Sequence, residues 1–172
     1  MSEDTIALID QLVKEHQVIG HRSLVLEKVA NDAEAIAGMD KAKENFVPGR
    51  LDQKKGLEQF FELLETYSEG LDAHFKREET SLLKAFEEYG DSELVSALHS
   101  LLDEHAELKE RITEMKKHAL ELLSGELASH FWSAKAHDMR VYMGHTVKMI
   151  GVHAHSEFRL FTALKKQLQA ES

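Results

Sequence analysis

Apolar residues recur in steps of three and four along four long stretches of this chain, a spacing that lays them on one face of a helix. The stretches span residues 4–37, 52–89, 92–123 and 126–169, and none carries the β-branched alternation of a strand. Gly38, Pro48 and Gly49 interrupt the chain around residues 38–50, while Gly90-Asp91-Ser92 and Ser124-Gly125 make two tight connections. In the second stretch the stripe reads Leu57, Phe60, Leu64, Tyr67, Leu71, His74, Glu78. The third runs Leu94, Leu98, Leu101, His105, Leu108, Ile112, Met115, Ala119, Leu122. The fourth runs Trp132, Ala136, Met139, Met143, Thr146, Ile150, His153, Glu157, Leu160, Leu164, and the first Ile6, Ile9, Val13, His16, Gly20, then Leu24. Four amphipathic helices with short connections predict an all-α fold, an antiparallel up-down-up-down four-helix bundle. Residues 1–172 suit a single domain of this kind. Gly144 and Gly151 are expected to bend the fourth helix or admit a close neighbour.

The stripes that should hold only apolar side chains are interrupted by His16, His74, Glu78, His105, His153 and Glu157, groups costly to bury without a partner. In an up-down-up-down bundle the four histidines lie at depths of about 18 to 24 Å from one end, at 1.5 Å per residue, and so form one layer. His74 and Glu78, like His153 and Glu157, are four residues apart and aim their side chains at one point. Two carboxylates brought together in a core need cations between them. The two halves also echo one another: Leu12-Val13-Lys14-Glu15-His16 parallels Leu101-Leu102-Asp103-Glu104-His105, and the His-x-x-x-Glu pair occurs in each. This predicts a duplicated helical hairpin.

The remaining chemistry narrows by exclusion. Thirty-one acidic against 21 basic residues give a net charge of −10, with no basic surface to neutralise a phosphate backbone, so nucleic acid is not an expected partner. The chain contains no cysteine, which removes thiolate metal sites and thiol catalysis. No apolar run approaches the roughly 20 residues that span a bilayer, and an acidic start, Met-Ser-Glu-Asp, argues against a signal peptide; a cytoplasmic protein without membrane contact is expected. Four imidazole nitrogens and two carboxylates exceed a closed tetrahedral zinc site and suit two octahedral ions bridged by the carboxylates, iron first, with manganese or zinc behind it. No Glu has a His three residues later, as ferritin-like bundles require, and there is no His-Glu-x-x-His of a zinc protease.

At these six residues the sequence resembles the hemerythrin-like (HHE) cation-binding family, whose motif is a His on the first helix, His-x-x-x-Glu on the second, and the same again on the third and fourth. The resemblance covers nearly the whole chain. It implies a dinuclear non-haem iron centre with His16 and His74 on one iron, His105 and His153 on the other, and Glu78 and Glu157 bridging with an oxo or hydroxo oxygen. The oxygen-carrying hemerythrins have a second His on the third helix, where this chain has Leu101 and Lys109, and a late Asp where it has Phe158. The pattern lies closer to the branch linked to nitric oxide response and iron–sulfur cluster repair, which also carries a cysteine segment. The function so implied is binding or sensing of dioxygen, nitric oxide or peroxide. A di-iron oxidase or peroxidase and a repair-type iron donor are the alternatives. A small diatomic ligand or peroxide is the implied partner, and a homodimer is left open.

Around the layer, Gly20, Leu71, Leu108 and Ile150 are expected one turn below the histidines, with Gly20 either leaving a gap for a diatomic ligand or allowing close helix packing. Below them, Tyr67 is expected to find a hydrogen bond from Ser23 or Thr146. His21, His99, His118, His130, His137 and His155 fall off the layer. His145 could line an entrance, though a surface role suits it better, and Glu79 reads as a solvated neighbour of Glu78.

Overall fold

The computed structural model describes residues 2–41 and 51–171, and within them every long element is helical. Helix α1 spans Ser2–Lys41 and α2 spans Leu51–Arg77. A π-helical turn, Glu78–Leu82, carries α2 without a break into α3, Leu83–Tyr89. Helices α4, Ser92–Leu123, and α5, Ser129–Ala170, complete the chain. Pro48 and Gly49, read above as part of the first interruption, lie outside the described residues.

Each connection has a local cause. Asp91 caps α4 by accepting a hydrogen bond from the Leu94 amide at 2.8 Å. At Gly90 a Cβ would lie 2.7 Å from the Phe86 carbonyl oxygen, so only glycine fits the turn out of α3. Gly125 has φ +70°, the left-handed conformation that follows a helix end at small cost only in glycine.

Helix α1 packs on α2 and α5, and α4 packs on the same two helices. Contacts pair Asp10 with Lys165 and His16 with Glu157 along α1 and α5, Glu15 with His74 and Ser23 with Tyr67 along α1 and α2, and Glu104 with His153 and Arg111 with Thr146 along α4 and α5. All seven stripe residues of α2 and the π turn, from Leu57 to Glu78, are buried. So are the α5 residues from Trp132 to Glu157 that share the stripe, and the Trp132 indole donates to the Leu122 carbonyl at 3.2 Å. The apolar core falls into two clusters. One includes Leu26, Phe60, Leu64, Leu71, Leu108, Met115, Trp132 and Ile150, the other Ile9, Leu12, Leu82, Phe86, Leu98, Phe161 and Leu164.

The first helix departs from its expected stripe. Leu12, Ser23 and Leu26 are buried and Ile19 half-buried, whereas Gly20 and Leu24 face solvent. After His16 the chain offers an apolar residue at a step of three and a small one at a step of four, and the inward face takes Ile19. A Cβ on Gly20 would meet nothing within 4 Å, so Gly20 neither opens a gap beside the histidines nor admits a neighbouring helix. Gly151 is likewise open, Gly144 has only the Glu27 carboxylate nearby, at 3.9 Å, and α5 is continuous through both. Replacement of Gly20 by Ala should therefore stabilise the protein by about 0.5–1 kcal/mol through helix propensity. Metal uptake should be unchanged, and a lowered melting temperature would contradict this placement.

Candidate metal centre

Six side chains from five helical elements meet between the two apolar clusters. Helix α1 supplies His16, α2 His74, the π turn Glu78, α4 His105, and α5 both His153 and Glu157. Both carboxylates are fully buried, and His74, His105 and His153 are 4% exposed or less. His16 is the most accessible of the four imidazoles, its side chain 12% exposed.

The four Nε2 atoms point inward at the carboxylates. Glu78 Oε1 lies 2.7 Å from His74 Nε2 and 3.2 Å from His16 Nε2, and Glu78 Oε2 lies 3.2 Å from His105 Nε2. Glu157 Oε1 lies 2.6 Å from His153 Nε2 and 3.4 Å from His105 Nε2, and Glu157 Oε2 lies 2.9 Å from His16 Nε2. The donors divide into two groups, His16, His74, Glu78, Glu157 and Glu78, His105, His153, Glu157, each with its ligand atoms within 4.8 Å of one another and each able to hold a metal ion. Both carboxylates belong to both groups.

Outside this layer a second ring of carboxylates turns the imidazoles. His74 Nδ1 lies 2.6 Å from Glu15, His105 Nδ1 2.8 Å from Glu79 and His153 Nδ1 2.7 Å from Glu104. A neutral imidazole that donates its Nδ1 hydrogen outward presents only a lone pair at Nε2. Lone pairs cannot bond to carboxylate oxygens, or to each other across the 3.1 Å between the Nε2 atoms of His105 and His153. A cation must sit between them, either a proton or a metal ion. Accordingly the approaches of His74 Nε2, Glu78 Oε2 and Glu157 Oε2, all buried, are short but none has the geometry of a hydrogen bond. Orphaned donors of this type, oriented by an outer carboxylate, are what a metal site needs, so these residues fit a metal ion.

Spacing within a single helix does not reveal this outer ring. Glu79 looked like a solvated residue, and the π turn gives it its role: the Leu83 amide donates to the Glu78 carbonyl, five residues back, and the widened turn lets Glu78 enter the core while Glu79 reaches His105. Glu15 and Glu104 stand immediately before His16 and His105, so the repeated Glu-His dipeptide was the available signal. Each of these glutamates holds not its neighbour but the histidine of the adjoining helix.

The residues expected nearby find other partners. Tyr67 is buried with its hydroxyl 2.8 Å from Ser23, whose own hydroxyl donates to the Ile19 carbonyl, and burial pushes the phenol up to about 12. Thr146 instead accepts from Arg111 at 2.8 Å. His145 is exposed and lines a groove between α4 and α5 that reaches His153, its Nδ1 3.1 Å from Arg111. His21, His99, His130, His137 and His155 are exposed, away from the six. Comparison with family models, with characterised proteins and with solved structures finds no match to this chain.

The same contacts set how the site responds to acid. Burial opposes the charged form of His16, but its bonds to Glu157 and Glu78 outweigh that and raise it to about 9. His105 rises to about 9 for the same reasons, with Glu79 adding to the effect. Burial pushes the Glu78 and Glu157 carboxyls up, and the surrounding imidazoles bring both below their ordinary range. In the metal-free protein these raised histidines stabilise the fold fully below the unfolded histidine value of about 6.5, and that contribution fades as pH rises toward 9. Metal must displace the same protons, so its affinity should rise over this interval. Melting curves at pH 6.5 and 9 should thus show the metal-free protein losing stability while the stabilisation conferred by added metal grows. A metal affinity that is flat across this range would contradict the proton-filled site.

Proposed function

We propose that the chain is a hemerythrin-like protein that holds two iron ions and binds or senses a small oxidant: dioxygen, nitric oxide or peroxide. The observation that carries this reading is the pair of two-His, two-Glu groups that share both carboxylates. His16 and His74 would hold one ion, His105 and His153 the other, with Glu78 and Glu157 common to both. Within the same proposal the four long segments run up-down-up-down as a duplicated hairpin. The paired contacts support this, since Glu15–His74 and Glu104–His153 join equivalent positions of the two halves.

The protein's own part is orientation and exclusion of water. Glu15, Glu79 and Glu104 hold three imidazoles with Nε2 inward, and the stacking of His105 on Phe75 at 3.7 Å fixes a fourth coordinate of that ring. Apolar clusters above and below keep the carboxylates dry, where their charge attracts cations most strongly. When bound, iron would supply electrons and coordination positions to a small oxidant. Two nitrogens and two carboxylate oxygens for each ion fall short of six ligands, which leaves room for such a molecule.

Metal analysis of anaerobically purified protein, with optical spectra before and after oxygen or azide, tests this reading. About two irons per chain and a new absorption band on azide addition are expected, and His74→Ala should lose metal and melt lower together. One tetrahedral zinc per chain, or an unchanged metal content in His74→Ala, overturns it. The outer ring adds a second expectation, because removing such a partner typically costs 10–100-fold in metal affinity. Glu104→Ala should weaken uptake by about that factor, and an affinity equal to wild type would deny the outer carboxylate its part.

A further inference from the structure

The grooves on either side of the bundle are built on the same positions and differ in charge. Arg22 and Arg111 each stand six residues after the histidine of their helix, and Tyr67 and Thr146 each seven before the histidine of the next. Between α4 and α5 the arginine is fully engaged. Its Nε donates to Thr146 at 2.8 Å, one Nη lies 3.1 Å from His145, and the guanidinium rests 3.9 Å over the Tyr142 ring. Between α1 and α2 the hydroxyl of Tyr67 is taken by Ser23, and neither Arg22 nor Lys14 forms an ion pair with a described residue.

Substitutions change the charge of this second groove and make room for its arginine. Gly70 occupies the position of Met149, and the Arg22 guanidinium lies over it, 3.4 Å from where a Cβ would be. Lys14 replaces Asp103 and Arg77 replaces Ser156. The α1/α2 groove, of 280 Å³, is consequently bordered by Lys14, Arg22 and Arg77 against one carboxylate, Glu15, which already serves His74 and Arg77. The α4/α5 groove, of 410 Å³, has Glu104 and Glu107 against Lys148. The floor of the cationic groove is apolar, made of Ile19 and Leu71, with Val18 half-exposed at its edge. In a chain of net charge −10, two unengaged cations over an apolar floor form a local exception that needs an anion with an apolar body.

We infer that the α1/α2 groove is a binding site for a small monocarboxylate with an aromatic or aliphatic body, its carboxylate held by Arg22 and Lys14 and its body laid on Ile19 and Leu71. A volume near the lower end of ligand pockets, roughly 300–1,000 Å³, suits a molecule of benzoate size. The inference does not depend on which ion the metal centre holds, although His74 and Glu15 line this groove and belong to that centre as well.

Benzoate is the probe, titrated into the protein as purified and followed by the amide resonance of Gly70. Saturable shifts are expected at Gly70 and Val18. Arg22→Ala should weaken binding by about tenfold or more, as loss of a charge-assisted bond requires. Gly70→Met, whose side chain would take the space of the Arg22 guanidinium, should weaken it by a similar factor. Lys148→Ala in the opposite groove should bind benzoate as wild type does. Benzyl alcohol, which has the body without the charge, and inorganic phosphate, which has charge without the body, should each bind far more weakly. The inference is overturned if benzoate produces no saturable shift, if benzyl alcohol or phosphate binds as well, or if Lys148→Ala weakens binding as much as Arg22→Ala.

Discussion

Two carboxylates buried within reach of the same imidazole nitrogens govern the rest of this molecule. Burying one unpaired carboxylate costs several kcal/mol even after relaxation, and Glu78 and Glu157 are both fully buried in one layer. That cost is bearable only where positive charge fills the space between them, as protons on His16 and His105 or as metal. The helices must then hold four histidines at one height, because a displacement by one turn, 5.4 Å, would strand an anion in the core. The pairing of Asp10 with Lys165, His16 with Glu157 and Glu15 with His74 is the register that this demand imposes. Apolar packing alone tolerates sliding far better, since Leu against Leu is nearly indifferent to which Leu it meets.

The layer also divides the core. Leu71, Leu108 and Ile150 lie in one apolar cluster, Leu12, Leu82 and Phe161 in the other. Phe75 joins the layer to the first cluster: it stacks on His105 at 3.7 Å and meets His153 edge-on at 5.9 Å. Ring faces placed against imidazoles leave these histidines few rotamers. Rigidity of the site and stability of the fold therefore come from the same contacts.

Much of this is legible in the sequence. In α2, α4 and α5 the three-and-four spacing has one solution, and the six polar residues stand out because nothing else explains them on an apolar stripe. The first helix was less legible, since Ile19 and Gly20 both continue a helical step from His16 and only packing chooses between them. Glu79 was hidden for another reason. Regular helical geometry separates it from Glu78 by about 100°, and the π turn that brings both to the site leaves no mark that a period of 3.6 can detect. Glu15 and Glu104 were visible as a repeated dipeptide, but the helix they act on is the neighbouring one, a relation that sequence spacing within one helix cannot express.

The outer ring is incomplete at one place, and the reason can be read from the halves. Glu79 follows Glu78 and holds His105, so the residue after Glu157 would hold His16, and that residue is Phe158. Phe158 is exposed, and among the described residues the contacts of His16 with carboxylates all run through Nε2. In place of an outer partner His16 has a ring, Phe161, stacked at 5.6 Å, looser than the 3.7 Å between His105 and Phe75. A stacked ring limits tilt but does not select which nitrogen carries the hydrogen, whereas a carboxylate at Nδ1 does. His16 is thus the imidazole least committed to an inward lone pair and the one most reached by solvent. The two halves, alike in the histidines and glutamates they send inward, are unequal in how firmly those imidazoles are held, and the looser hold falls on the α1/α2 side, where the cationic groove lies.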